Sequence, residues 1–259
     1  MPFVSPEVFV KDRIASFQAY SVLASRAVAN LFSGPRYWAD IFTQMDSIGV
    51  GSLPIVVLTG FFTGCVLALQ SATSLQEFGA VSMTASLVAL SMVKELGPVL
   101  TGLMVSGRNA SGMASELGSM KVTEQIDAMR ALGTDPVRKL VTPRLVATIF
   151  MLFFLTIVSD AVGIAGGALV SVTMLNLNLN SYFHTSYRSL VYGDVVQGLT
   201  KPLFSGFIIA TVGCYFGMNT KGGTQGVGRS TTQAVVYSSV FIIVVDFLVS
   251  RLMIGIFGR

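Results

Sequence analysis

Charge is what this chain lacks most. Of 259 residues only 12% are charged, 17 basic and 13 acidic. Soluble globular domains carry about 25%, so these side chains cannot cover a folded body of this size in the usual way. With 52% hydrophobic residues, a disordered chain is excluded as well. Histidine is almost absent. His184 alone leaves no Ser-His-Asp arrangement, no Cys-His pair and no metal-ligand cluster to assemble, which rules out most histidine chemistry, and no metal is expected. Cysteine is scarce too. Cys65 and Cys214 lie inside apolar runs and read as small buried hydrophobes, silent on redox compartment. A clean signal peptide is missing, because Arg26 interrupts the one candidate apolar region.

What is present is length between charges. Asp46 to Glu77 encloses 30 uncharged residues, Ala161 to Tyr187 gives 27 with only His184 as a titratable group, and Pro202 to Thr220 gives 19. A bilayer core of about 30 Å needs roughly 20 apolar residues in helical form. The fold class expected is therefore an all-α polytopic membrane protein with five transmembrane helices, at about 48–75, 80–107, 144–172, 202–219 and 233–256. Small-xxx-small patterns at Gly60/Gly64, Gly163/Gly167 and Gly213/Gly217 mark faces where helices approach closely.

Residues 1–45 differ from the five-span region at 46–259. Val10, Ile14, Phe17, Ser21, Ala24, Val28 and Leu31 recur at helical spacing, but the stretch is too polar to span. It reads as an N-terminal interfacial amphipathic helix, ended by Gly34-Pro35 and followed by Tyr37 and Trp38, which favour the membrane–water boundary. Packing on a soluble neighbour is the alternative. Loop charges set the orientation. With the N-terminus inside, the cytoplasmic side holds Lys11, Arg13, Arg26, Arg36, the six cations of segment 108–144, Lys221 and Arg229, and the outer side Arg188, Lys201, Arg251 and Arg259. That bias of 12 to 4 predicts N-in and C-out. The outer stretch 174–200, with Tyr182, Phe183 and Tyr187, then reads as a short extracytoplasmic helix between spans 3 and 4, or else as a disordered loop.

Segment 108–144 holds 10 of the charges in 37 residues. Within it Val122, Ile126, Met129 and Leu132 share one helix face. Glu124 and Asp127 stand near the start and Arg130 near the end, as the helix dipole prefers. Gly133 suits a helix C′ position, with Asp135-Pro136 just beyond. Thr123 to Leu132 is expected to be a cytoplasmic helix that docks a soluble partner, since its two acids make an anionic leaflet a poor one. Lys94-Glu95 is the costliest feature. Each intramembrane charge costs about 2.5–3.5 kcal/mol on insertion scales, and such residues usually face a bundle interior or wet cavity. Neighbours on a helix point about 100° apart, so the two are not a simple facing pair. Asp160 and Asp246 are lone acids with an expected structural role. Gly223 to Ser230 has the form GxxxxGRS, one change from a phosphate-binding loop, but lacks the preceding strand and the Lys. It reads as a tight cytoplasmic turn. Asn109-Ala110-Ser111 is a glycosylation sequon on the wrong side of the membrane.

The run VALSMVKELGPVLTGLMVSGRNASGMASELGSMKVTEQIDAMRALGTDP, at 88–136, resembles the central signature of the MlaE/YrbE permease family. GIAGGALV at 163–170 and GVGRSTTQAVVYSSVFIIVVDF at 226–247 continue the likeness. One departure is Lys94, where the family often carries Arg, so the planar bidentate fork is lost. The resemblance implies the membrane subunit of a lipid-moving ABC transporter in a bacterial inner membrane. It implies a homodimer enclosing a lipid cavity, a cytoplasmic ABC ATPase that binds the ATP and Mg, an MCE-domain protein on the outer face and a small accessory cytoplasmic subunit. Lys94 and Glu95 would lie in the cavity, with Leu67, Leu75, Phe78 and Leu96 as its apolar wall. Thr123, Glu124, Ile126, Asp127, Met129, Arg130, Leu132, Gly133 and Asp135 would couple to the ATPase. No cofactor is expected on this chain, and nucleic acid is not an expected partner. The competing readings are an ion-coupled secondary transporter using Lys94, Glu95, Asp160 and Asp246, and a membrane scaffold without a cavity. No inverted repeat is visible between the halves, which disfavours the former.

Overall fold

The computed structural model describes residues 6–32 and 37–257. Among these every regular element is helical. We number them α1 (Pro6–Phe32), α2 (Trp38–Gln76), α3 (Val81–Val122), α4 (Gln125–Ala131), α5 (Val137–Thr173), α6 (Leu179–Ser189), α7 (Tyr192–Met218) and α8 (Gly223–Phe257). Five of them, α2, α3, α5, α7 and α8, are long and apolar enough to cross a membrane. The chain is thus a multi-pass membrane protein.

Small residues decide which helices touch. A Cβ on Gly64 would lie 1.8 Å from the Gly163 carbonyl oxygen, and one on Gly60 2.9 Å from that of Ser159. Both numbers rise together along the two helices, so α2 and α5 run parallel in backbone contact. The same holds for α3 and α7. A Cβ on Gly198 would strike the Val93 carbonyl at 2.0 Å, and one on Gly217 would strike Ala114 at 3.1 Å. The α7 helix is the most enclosed span and α8 the least. Ile48, Leu145, Ala147, Ala210 and Cys214 form one core, Val56, Leu152, Ile209 and Ile242 another.

Several spans exceed their expected limits. Helix α2 starts at Trp38 rather than 48, and α7 starts at Tyr192 rather than 202. The outer turns of α7 carry Asp194, Gln197 and Lys201 on one face, and that polarity hides them from a hydropathy reading. Most of segment 108–144 also belongs to spans, because α3 continues unbroken to Val122 and α5 resumes at Val137. The true connection is 123–136. Residues 223–230 are the first two turns of α8, not a turn themselves. The bend lies just before them, at Gly222 and Gly223, both with positive φ (88° and 65°) that only glycine takes easily.

Of the face read from sequence in helix α1, Ala24 packs on the bundle beside Leu23 and Ala27, while Ile14 and Phe17 are 61% and 71% exposed. Tyr20 Oη lies 2.9 Å from Thr211 Oγ1, and Tyr215 Oη donates to the Ser16 carbonyl, which tie α1 to α7. The side chains of Val10 and Arg13, and residues Gly34, Pro35, Arg36 and Arg259, lie outside the described residues.

Candidate functional site

Pro98 shapes the local backbone around Lys94-Glu95. A proline inside a helix clashes with the carbonyl four residues earlier and lacks an N–H. Residues Met92–Leu96 answer with a π-helical turn, whose wider bonds leave room for the ring. Pro143 stands in the same relation to a second such turn at Val137–Val141. The widened turn at 92–96 splays the two charges onto different partners on α7. Lys94 Nζ lies 3.0 Å from Asp194 Oδ1, and Asp194 Oδ2 in turn accepts from the Val191 N–H at the helix start. Glu95 accepts from Gln197 Nε2 at 3.2 Å, from Ser250 Oγ at 3.1 Å and from Lys201 Nζ. Lys201 also pairs with Asp246 Oδ1 at 3.0 Å.

Asp194, Gln197 and Lys201 sit at i, i+3 and i+7 of α7, and so share the face turned to α3. Ser250 and Asp246, four apart on α8, complete the cluster. The expectation that Lys94 and Glu95 do not pair with each other holds. Asp246 is not a lone acid. Lys201, assigned from sequence to the outer loop, is buried at 2% exposure. Asp194, Gln197, Lys201 and Ser250 escaped the sequence reading; the helical spacing of the first three was the available signal. Asp160 comes close on the other side of the wide turn, where a Cβ on Gly97 would lie 1.7 Å from its Oδ1.

Leu96, which follows Glu95 in sequence, and Leu67 line a shallow groove of about 310 Å³ together with Phe62, Thr63, Val66 and Gln70. The structure brings Leu67 and Leu96 together. Leu75 and Phe78 lie elsewhere, in the last turn of α2 and just past its end, and Phe78 is 80% exposed.

The segment between α3 and α5 is held by its own bonds. Glu124 takes a left-handed conformation (φ 60°), which breaks α3 from α4, so Val122 ends α3 instead of joining the α4 face. Ile126 is fully buried. Asp127 pairs with Lys121 at 2.6 Å and Arg130 at 3.1 Å. The hydrogen bond from Lys121, then the nearby positive charge, holds the Asp127 carboxyl below its usual range despite slight desolvation. The helix closes with Gly133 N–H on the Arg130 carbonyl and Thr134 N–H on that of Met129, with Gly133 at φ 78°. Asp135 accepts from the Val137 N–H and so caps the next helix. Thr123 donates to the Ser119 carbonyl. Glu124, Met129, Arg130 and Leu132 remain at least partly open, Leu132 at 83%.

Five membrane-crossing helices with an ionic cluster buried among three of them define a polytopic membrane protein built around a polar site, of the permease kind. The profile of the permease MlaE family matches residues 41–252, and the chain belongs to that family. It is 42% identical over 234 residues to a probable ABC transporter permease protein of Rickettsia typhi, covering 90% of each chain. It is 34% identical to the intermembrane phospholipid transport system permease protein MlaE of Haemophilus influenzae, covering 85% of each. The chloroplast protein trigalactosyldiacylglycerol 1 of Arabidopsis thaliana is 36% identical, over 88% of this chain and 65% of that one.

Proposed function

We propose that this chain is the membrane subunit of an ABC transporter that moves phospholipid or a related lipid between the inner membrane and an MCE-domain protein. The carrying observation is the partly buried ionic cluster around Glu95, on the helix whose next residue, Leu96, lines an apolar groove with Phe62 and Leu67. A lipid needs that combination, with polar groups for the head and an apolar wall for the tails. Two copies face each other, the uncovered α8 and α2 surfaces supplying lipid or partner contact. Helix α1 lies in the interface with Ile14 and Phe17 in the acyl region, and α6 lies on the outer face. ATP and Mg belong to a separate ATPase, which docks on the 123–135 segment. The partly open Glu124, Met129, Arg130 and Leu132 are its contact points. A small accessory subunit accompanies the ATPase. Such a switch requires that the two states of the machine bind lipid with different affinity.

Co-purification tests the reading. Gentle extraction should recover the chain with an ATPase and with bound lipid. Recovery of this chain alone, free of both, overturns it. Reversing Asp127 to Lys, or Gly133→Pro, should abolish ATPase stimulation while the chain stays in the membrane. Gly133→Pro cannot keep φ 78°, and Asp127→Lys replaces two ion pairs with repulsion. Normal stimulation in both variants removes the docking role from this segment.

A further inference from the structure

Around Glu95 the chain gathers more negative charge than positive. Glu95, Asp194 and Asp246 meet two ammonium groups, Lys94 and Lys201. Lys201 serves two carboxylates at once. Asp160, against Gly97 on the far side of the same turn, adds a carboxyl whose Oδ1 has no hydrogen-bond partner. Arg251 follows Ser250 in sequence but is exposed and forms no ion pair with these acids among the described residues. Even without Asp160 the cluster is one positive charge short. Within a membrane segment an uncompensated charge is expensive, so the shortage favours an incoming cation.

Exposure shows where that cation can enter. Lys201 is sealed at 2%, Asp194 and Asp246 are 10% and 16% exposed, whereas the Glu95 side chain is 44% open and that of Lys94 25%. An incoming group therefore meets Glu95, a carboxylate that shares its one cation, Lys201, with Asp246, and, on the preceding residue, the ammonium of Lys94, whose present partner is Asp194.

We propose that this cluster selects lipids whose headgroup joins an ammonium to a phosphate, the aminophospholipid class, over lipids with an anionic headgroup. The ammonium sets against Glu95 and the phosphate against Lys94. This deepens the lipid-permease reading and rests on it. An anionic headgroup could use Lys94 but would stand beside the excess carboxylate charge, with nothing to offer Glu95.

The test uses the full-length chain with the subunits that accompany it, washed in detergent carrying equimolar phosphatidylethanolamine and phosphatidylglycerol. Retained lipid is then measured by mass spectrometry. The native protein should retain phosphatidylethanolamine about tenfold over phosphatidylglycerol, the ratio that one contact of about 1.4 kcal/mol supplies. Asp246→Asn removes the excess charge without touching the exposed pair and should bring the ratio near parity, as should Glu95→Gln. Lys94→Gln should lower retention of both lipids together. Equal or preferential retention of phosphatidylglycerol by the native protein overturns headgroup selection and leaves the permease reading standing, with a proton or small cation meeting the charge shortage. An unchanged ratio in a folded Asp246→Asn variant overturns it too. Retention of neither lipid overturns the permease reading and this inference with it. Should Glu95→Gln fail to fold, the native ratio and Asp246→Asn decide.

Discussion

Lys201 is enclosed between Glu95 and Asp246 with 2% of its surface exposed. A buried ion pair adds little net stability, but removing one partner leaves charge uncompensated at a cost of about 3–5 kcal/mol. Lys201→Met should therefore lower the thermal unfolding midpoint of the purified protein sharply, because it strands two carboxylates at once. The double variant Lys201→Met with Asp246→Asn should recover part of that loss. A midpoint for Lys201→Met within a degree of native would show that the two acids need no shared cation. Asp127 offers a contrasting case in water. Its carboxyl is held below the ordinary 3.8 chiefly by the bond from Lys121. A depressed carboxyl contributes stability that is complete above 3.8 and is lost as pH falls through its lower folded value. The clamp on α4 should thus stay closed down to pH 3.8 and loosen only below it. A carbon-13 titration of the Asp127 carboxyl with a midpoint at or above 3.8 would remove that clamp.

At the scale of elements, α2 and α5 meet through glycine. A Cβ on Gly64 would overlap the Gly163 carbonyl, which is backbone and cannot turn aside. Gly64→Ala must push the helices apart, and overpacking of this kind costs about 1–3 kcal/mol. Gly228 on α8 has nothing within 4 Å of its would-be Cβ. Gly228→Ala should leave the unfolding midpoint unchanged or slightly raised, since alanine is the better helix former. Equal effects at the two sites would rule out close approach as the reason for Gly64. The Gly60/Gly64 and Gly163/Gly167 patterns were legible in sequence because spacing alone exposes them. So were the existence of all five spans and the costliness of Lys94-Glu95, which follow from where charges are absent or out of place. The partners of that pair were not legible. Which residues of α7 face α3 depends on a π turn induced by Pro98, and no periodicity announces it. The outer turns of α7 stayed hidden for a related reason, as their polar face serves the cluster while imitating a loop. Val122 was misplaced because one left-handed residue, Glu124, resets the helical phase between α3 and α4.

At the scale of the whole molecule, charge sets orientation. Spans alternate, so α2, α5 and α8 run one way and α3 and α7 the other, and a single fact fixes all of them. The ends of the bundle differ in charge. Lys121, Arg130, Arg138, Lys139, Lys221 and Arg229 gather at one, and Arg188 and Arg251 stand at the other. Lys201, assigned to the outer side from sequence, is buried against Glu95 and Asp246 and drops out of the comparison. The imbalance keeps the sense that the loop charges predict. Cations near span ends are retained on the cytoplasmic side, so the 123–136 connection and the bend at 219–223 should lie inside, with the α5–α6 turn and α6 outside. Residue-by-residue labelling checks this. Cys214 is buried and Cys65 partly so, and replacing both with Ser or Ala gives a background free of thiols. A cysteine at Gly222 or Thr134 should then react with an impermeant maleimide only after the cells are opened, and one at Asn176 in intact spheroplasts. Labelling of Gly222→Cys in intact spheroplasts would invert the assignment, and with it the side on which the ATPase could dock.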